Sequence, residues 1–137
     1  MPTETIGLVL MSVAILQYGL VPLFADLNAT HARNARWTSH ARFHVVTQVL
    51  TGAAIASLAL YALWAPGITR SAGVCLAATL SFCVLGAFFA SAACRSLYGG
   101  ALSDPAGGMP RVRNIDLNVL NFGIALLLLV AGRLLLL

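Results

Sequence analysis

The sequence predicts an all-α integral membrane protein, a four-helix bundle in a single domain covering residues 1–137. Two observations carry this expectation. Of the 137 residues, 60% are hydrophobic and only 9% charged, against about 25% charged in an ordinary soluble domain. In addition, four segments reach the length of about 20 mainly apolar residues that a spanning helix needs: about 5–24, 39–63, 71–93 and 115–137. With so few charges, lipid replaces water as the solvent for most of the surface.

The first span runs from about Thr5 to Phe24. Its leader carries no positive charge and no small-x-small cleavage site follows, so it reads as a span and not as a signal peptide. The second span, about Ser39 to Leu63, ends in a tight turn at Pro66 and Gly67. The third, about Ser71 to Ala93, repeats small residues four apart at Gly86/Ala90 and Ala87/Ser91. Such a face lets backbones approach closely, either within the bundle or between the subunits of a homo-oligomer. Cys75, Cys83 and Cys94 lack CxxC spacing and read as small packing residues. The connection Arg95–Asn114 contains Gly99, Gly100, Pro105, Gly107, Gly108 and Pro110, which forbid a regular helix. Asp104-Pro105 within it marks a turn. The fourth span runs from about Ile115 to Leu137, with Asp116 in its first turn placed to cap it.

The formal charge is +4, and every basic residue is arginine. A nucleic-acid partner would need a basic stripe on a soluble domain, and no such domain is expected here. Six arginines (33, 36, 42, 95, 111, 113) fall at the two long connections and two (70, 133) at the other side. The positive-inside rule then puts the long loops in the cytoplasm and both termini outside a cell membrane. Arg33 and Arg36 read as headgroup contacts, and Trp37 as either an aromatic-belt residue or a lid over a site.

Chemistry-bearing residues gather at the long-loop side. All three histidines lie there: His31, His40 and His44. His40 and His44 are one helical turn apart and share a face, which continues inward through Thr47, Gln48 and Thr51. Helix four opens with a second polar stripe, Asn114, Asn118 and Asn121. Polar side chains inside a membrane are costly unless paired, so the two stripes are expected to face each other, with Gln17 and Tyr18 adding deeper groups. Three readings of the histidines stand side by side. The pair could hold a transition metal with Asp26, His31 or Asp116 completing the shell. One histidine could bind haem iron axially. Alternatively the cluster serves metal-free acid–base or substrate binding, or is an interfacial group hydrogen-bonded to Asn118, Asp116 or lipid. His44, one turn deeper than His40, is expected to matter more for any cofactor. Arg111 and Arg113 could bind a propionate or phosphate at the mouth, and Tyr98 could reach the site as a donor.

The stretch Asp26-x-Asn28-x-Thr30-His31, followed by Trp37-x-x-His40-Ala41-Arg42-Phe43-His44, resembles the signature of a family of small four-helix membrane proteins. The resemblance covers roughly the first half of the chain and implies no particular reaction. The architecture is also distantly similar to the styrene oxide isomerases. Those are short four-helix membrane proteins with a Trp shortly before a histidine on helix two, a Gly/Pro-rich third connection and an acidic residue opening helix four. Here Trp37 with His40 or His44, the loop 95–114 and Asp116 look like the counterparts. That resemblance implies haem b on the helix-two histidine, with ferric iron acting as the Lewis acid that opens an epoxide to a carbonyl. The family's substrate-binding asparagine and tyrosine have no secure counterparts here, and Gln48 and Tyr98 are the candidates for those places. The paired histidines depart from the family pattern.

The resulting expectation is a membrane enzyme, most simply an isomerase of a small hydrophobic molecule that enters from the lipid bilayer, since no nucleotide-binding or redox-thiol motif is present. Asp26, His31, Asp116 and Asn118 are its candidate catalytic residues. His40, His44, Arg111 and Arg113 would hold the cofactor, and Gln48, Tyr98 and Asn121 the substrate. The rival expectation is a non-enzymatic assembly partner, lipid binder or small carrier.

Overall fold

A computed structural model describes residues 2–103, 111–112 and 115–137. It contains four long helices: α1 (Thr3–Asp26), α2 (Ser39–Trp64), α3 (Arg70–Cys94) and α4 (Leu117–Leu134). A short 3-10 turn, Arg95–Tyr98, continues α3. Two two-residue strands, β1 (Arg111–Val112) and β2 (Ile115–Asp116), pair antiparallel just before α4. All four helices are long and apolar enough to cross a membrane. At about 1.5 Å per residue, the 24 to 26 residues of α1–α3 span about 36–39 Å and the 18 of α4 about 27 Å.

The observed ends follow local chemistry. Thr38 caps α2 by accepting a hydrogen bond from the Ala41 amide at 3.1 Å, and Thr69 caps α3 through the Ala72 amide at 3.4 Å. Helix α4 starts two residues later than expected because Ile115 and Asp116 are drawn into the strand pair. Asp116 is its cap, with Oδ1 accepting from the Asn118 amide at 2.9 Å. Pro22 sits inside α1 and removes the N–H that would bond the Tyr18 carbonyl.

Helix α1 is the hub. It packs along both α2 and α4, α2 packs along α3, and α3 touches α4 at few positions. The core is correspondingly centred on α1. Met11, Ala14 and Ile15 are fully buried, and Leu63, Ala77, Leu85, Ala125 and Leu129 close around them. Close helix approach depends on small residues at three crossings. A Cβ built on Gly132 of α4 would lie 2.7 Å from the Gly7 carbonyl oxygen of α1, one on Gly19 would collide with Ala56 of α2, and one on Gly73 with the Ala62 carbonyl. The stripe expected to pack helices, Gly86/Ala90, does not do so inside the bundle. Gly86 and Ala90 are exposed, and a Cβ on Gly86 meets nothing within 4 Å. The stripe splits instead, because Ala87 and Ser91 on the adjoining side line a cavity.

At the end of the bundle that holds the α2–α3 turn, polar contacts staple the helices. Glu4 and Arg70 form an ion pair at 3.1 Å, Arg70 also donates to the Leu63 carbonyl at 2.8 Å, and the Trp64 indole donates to Ser12 Oγ at 2.9 Å. The outer surface is apolar: Leu58, Tyr61, Leu127 and Leu134 are each more than half exposed.

Candidate functional site

The bundle is tight at the level of Met11 and opens toward the other end. The opening is a cavity of about 560 Å³ to which all four helices contribute. Helix α1 supplies Tyr18, Pro22 and Asp26; α2 supplies Gln48, Thr51 and Gly52; α3 supplies Cys83, Phe88 and Ser91; α4 supplies Asn118, Asn121 and Phe122. Phe88 and Phe122 stack with centroids 4.2 Å apart and form a flat aromatic wall. A cavity forms here because α2 and α4 lie on opposite sides of it with no extensive contact between them.

The two polar stripes do share one space, but they do not bond each other. Gln48 and Thr51 face the cavity from α2, and Asn118 and Asn121 face it from α4. Among the described residues the side chains of Gln48, Thr51 and Asn118 make no hydrogen bond. Asn121 is held from α1: Gln17 Nε2 donates to its backbone carbonyl at 2.9 Å and to its side-chain carbonyl at 3.0 Å. Tyr18 OH lies 3.1 Å from Ser81 Oγ, which in turn donates to the Ala77 carbonyl at 2.7 Å. Gln17 thus joins the α4 stripe at Asn121, whereas Tyr18 lines the cavity but bonds Ser81 of α3 and neither stripe.

Beside the cavity's Asp26, the segment after α1 folds into a hydrogen-bonded knot. Asn28 Nδ2 donates to the carbonyls of Phe24 and Ala25, and its Oδ1 accepts from the Thr30 amide at 2.8 Å and the Thr30 hydroxyl at 2.6 Å. His31 Nδ1 is 2.8 Å from Thr30 Oγ1. The single hydroxyl proton of Thr30 is committed to Asn28, so His31 Nδ1 is the donor to Thr30. The same nitrogen lies 3.9 Å from Asp26 Oδ1, a charge contact and not a hydrogen bond. The His31 ring meets Trp37 edge-on at 5.2 Å, so Trp37 buttresses this knot.

Several sequence-derived candidates do not reach the cavity. His40 and His44 are exposed and outside its lining. Their Nε2 atoms are 2.9 Å apart and the rings pack edge to face at 4.3 Å. Each is therefore the other's partner, in place of Asn118, Asp116 or a deeper support. His44 is exposed like His40, and the cavity lining on α2 begins one turn later, at Gln48. Among the described residues no third His, Cys, Asp or Glu joins them to make a metal-holding group, and neither Asp26, His31 nor Asp116 completes a shell. Asp116 is consumed as the α4 cap: it is 8% exposed and lies outside the cavity lining, and its second carboxylate oxygen is buried without a partner among the described residues. Tyr98 is also displaced. Its hydroxyl donates to the Ser91 carbonyl at 2.8 Å, tying the 3-10 turn to α3. Arg111 lies on β1 opposite Asp116 in register. Arg113, Asn114 and Asp104-Pro105 lie outside the described residues.

The sequence reading missed Gly52, Cys83, Phe88 and Phe122 as cavity residues. Nothing in an apolar run separates a residue that faces a cavity from one that faces lipid or core. Only Phe122, next to Asn121, carried a positional hint.

No curated protein and no solved structure matches the chain. Residues 10–123, which include α1 from its middle, α2, α3 and the first turns of α4, match a family of unknown function (DUF6640). The match embraces all the cavity-lining residues, and the chain belongs to that family.

Proposed function

We propose that the chain is a multi-pass membrane protein whose four helices enclose a binding site for one small, mainly apolar molecule with a polar end. The observation that carries this reading is the set of unbonded polar side chains in the cavity. Gln48, Thr51 and Asn118 sit in otherwise apolar helices without a protein partner among the described residues. Gln48 and Thr51 are exposed and Asn118 half-buried in the bundle by itself; with lipid around it, a polar group left unsatisfied costs roughly 1–3 kcal/mol, which a bound molecule or water would offset. The volume of about 560 Å³ falls within the range typical of small-molecule sites. The apolar outer surface supports lipid as the surrounding solvent, which gives a hydrophobic ligand a direct route in.

Binding is common to an isomerase and to a carrier; turnover of the bound molecule separates them. The test of binding uses Gly52, where a built Cβ meets nothing within 4 Å and the residue lines the cavity. Gly52→Leu fills the space without disturbing a packed neighbour. The wild-type chain, purified in lipid nanodiscs and analysed by native mass spectrometry, is expected to carry a small molecule that Gly52→Leu lacks at equal thermal stability. Equal occupancy in the two proteins, or none in the wild type, overturns the reading.

A second reading rests on the histidine pair. One exposed imidazole is enough for the axial position of a haem iron, so the haem-dependent isomerase remains a proposal centred on His40 or His44. The donor set does not fit a metal held by protein side chains alone, because no third ligand stands beside the pair among the described residues. A Soret band in the purified wild type that His44→Ala or His40→Ala removes supports the haem reading. A colourless wild type, expressed with ample haem, refutes it.

A further inference from the structure

Among the described residues the cavity carries one formally charged side chain, Asp26, whose one charged neighbour is His31 at 3.9 Å. Asp26 is the last residue of α1, where the helix already presents its negative dipole end, and no basic residue occupies that last turn. Its carboxylate accepts no hydrogen bond among the described residues. The nearest cationic candidate, His31, spends its Nδ1–H on Thr30 and stays 3.9 Å away. Arg33, Arg36, Arg42, Arg70, Arg95 and Arg133 are outside the cavity lining. The lining also holds three aromatic rings, the stacked Phe88–Phe122 pair and Tyr18. A carboxylate, a helix C-terminus and aromatic faces all attract positive charge.

From this convergence we propose that the ligand of the cavity is a small lipophilic amine in its protonated form, with the ammonium group at Asp26 and the apolar body against Phe88 and Phe122. The proposal rests on the cavity being a binding site and adds the chemical class of what it takes. The ammonium donates to the Asp26 carboxylate and finds further acceptors in the carbonyl oxygens of Gln48 and Asn118. A neutral alcohol of the same shape would satisfy the amides but leave the carboxylate charge unbalanced. A carboxylic acid anion would place two negative charges in one low-dielectric space.

The experiment compares 4-phenylbutylamine, 4-phenylbutanol and 4-phenylbutyrate, which share one apolar body. Binding is measured calorimetrically to the full chain in nanodiscs of neutral phosphatidylcholine, with empty nanodiscs subtracted. The amine is expected to bind about tenfold more tightly than the alcohol, the difference between a charge-assisted and a neutral hydrogen bond, with the carboxylate weakest. Asp26→Asn is expected to erase the preference of amine over alcohol, and Gly52→Leu to weaken all three probes. An alcohol that binds the wild type as tightly as the amine overturns the amine assignment while leaving the cavity reading in place. Retention of the amine preference in Asp26→Asn does the same. Failure of all three probes to bind, with Gly52→Leu indistinguishable from wild type, overturns both.

Discussion

Two glycines of α4 provide a stringent test of the helix packing, because the same substitution should act in opposite directions at sites nine residues apart. At Gly132 an added Cβ would lie 2.7 Å from the Gly7 carbonyl oxygen, 2.8 Å from Met11 Cγ and 3.0 Å from the Met11 amide nitrogen. Two of these three are backbone atoms, so relief requires α1 and α4 to move apart. Overpacking of this kind costs about 1–3 kcal/mol, offset by the gain of about 0.8–1 kcal/mol that alanine brings to a helix interior. At Gly123 the added methyl meets nothing within 4 Å, so only the helical gain remains. Gly123→Ala should therefore stabilise the chain by up to about 1 kcal/mol, and Gly132→Ala should destabilise it by up to about 2 kcal/mol. The two variants should differ in melting temperature by on the order of 5–10 °C. The assay is thermal unfolding of both purified variants and the wild type in one detergent, followed by intrinsic fluorescence and by loss of the monodisperse peak. Equal shifts, or a Gly132→Ala protein more stable than Gly123→Ala, would refute the placement of α1 against α4.

Tyr18→Phe removes the contact to Ser81 while Ser81 keeps its bond to Ala77, so stability should fall by about 1 kcal/mol; a larger loss in detergent unfolding would mean that the ring itself had moved. The arginine distribution predicts that an impermeant thiol reagent reaches Thr69→Cys, and not Ser103→Cys, from outside intact cells, measured against a background with Cys75, Cys83 and Cys94 replaced. External labelling at position 103 would reverse the orientation.

Local signals made the helices readable. The apolar runs by themselves place the starts of α2, α3 and α4 to within two residues. The recurrence of Asn118 and Asn121, and of Gln48 and Thr51, at helical spacing was likewise enough to predict that two polar stripes look into one space. The histidines were misplaced for a physical reason: the i, i+4 rule says that His44 and Gln48 share a face, but not where along the helix the bundle encloses that face. Tyr98 was misplaced because a 3-10 turn, ending at Gly99 with φ +69°, directs its hydroxyl back onto α3.

The sequence by itself determined the number and apolar character of the helices, because those depend on composition within each segment. Tertiary structure alone decided which of them meet. The crossings at Gly7/Gly132, Gly19/Ala56 and Gly73/Ala62 set how closely neighbouring helices approach. The separation of α2 from α4 leaves the central cavity open. Those distances depend on pairs of residues in different helices, with glycine on at least one side of each contact and glycine or alanine on the other. No single segment carries that information, and for that reason Asp26 emerges as the charged group of the cavity while Asp116, equally acidic and equally placed at a helix end, becomes a buried cap.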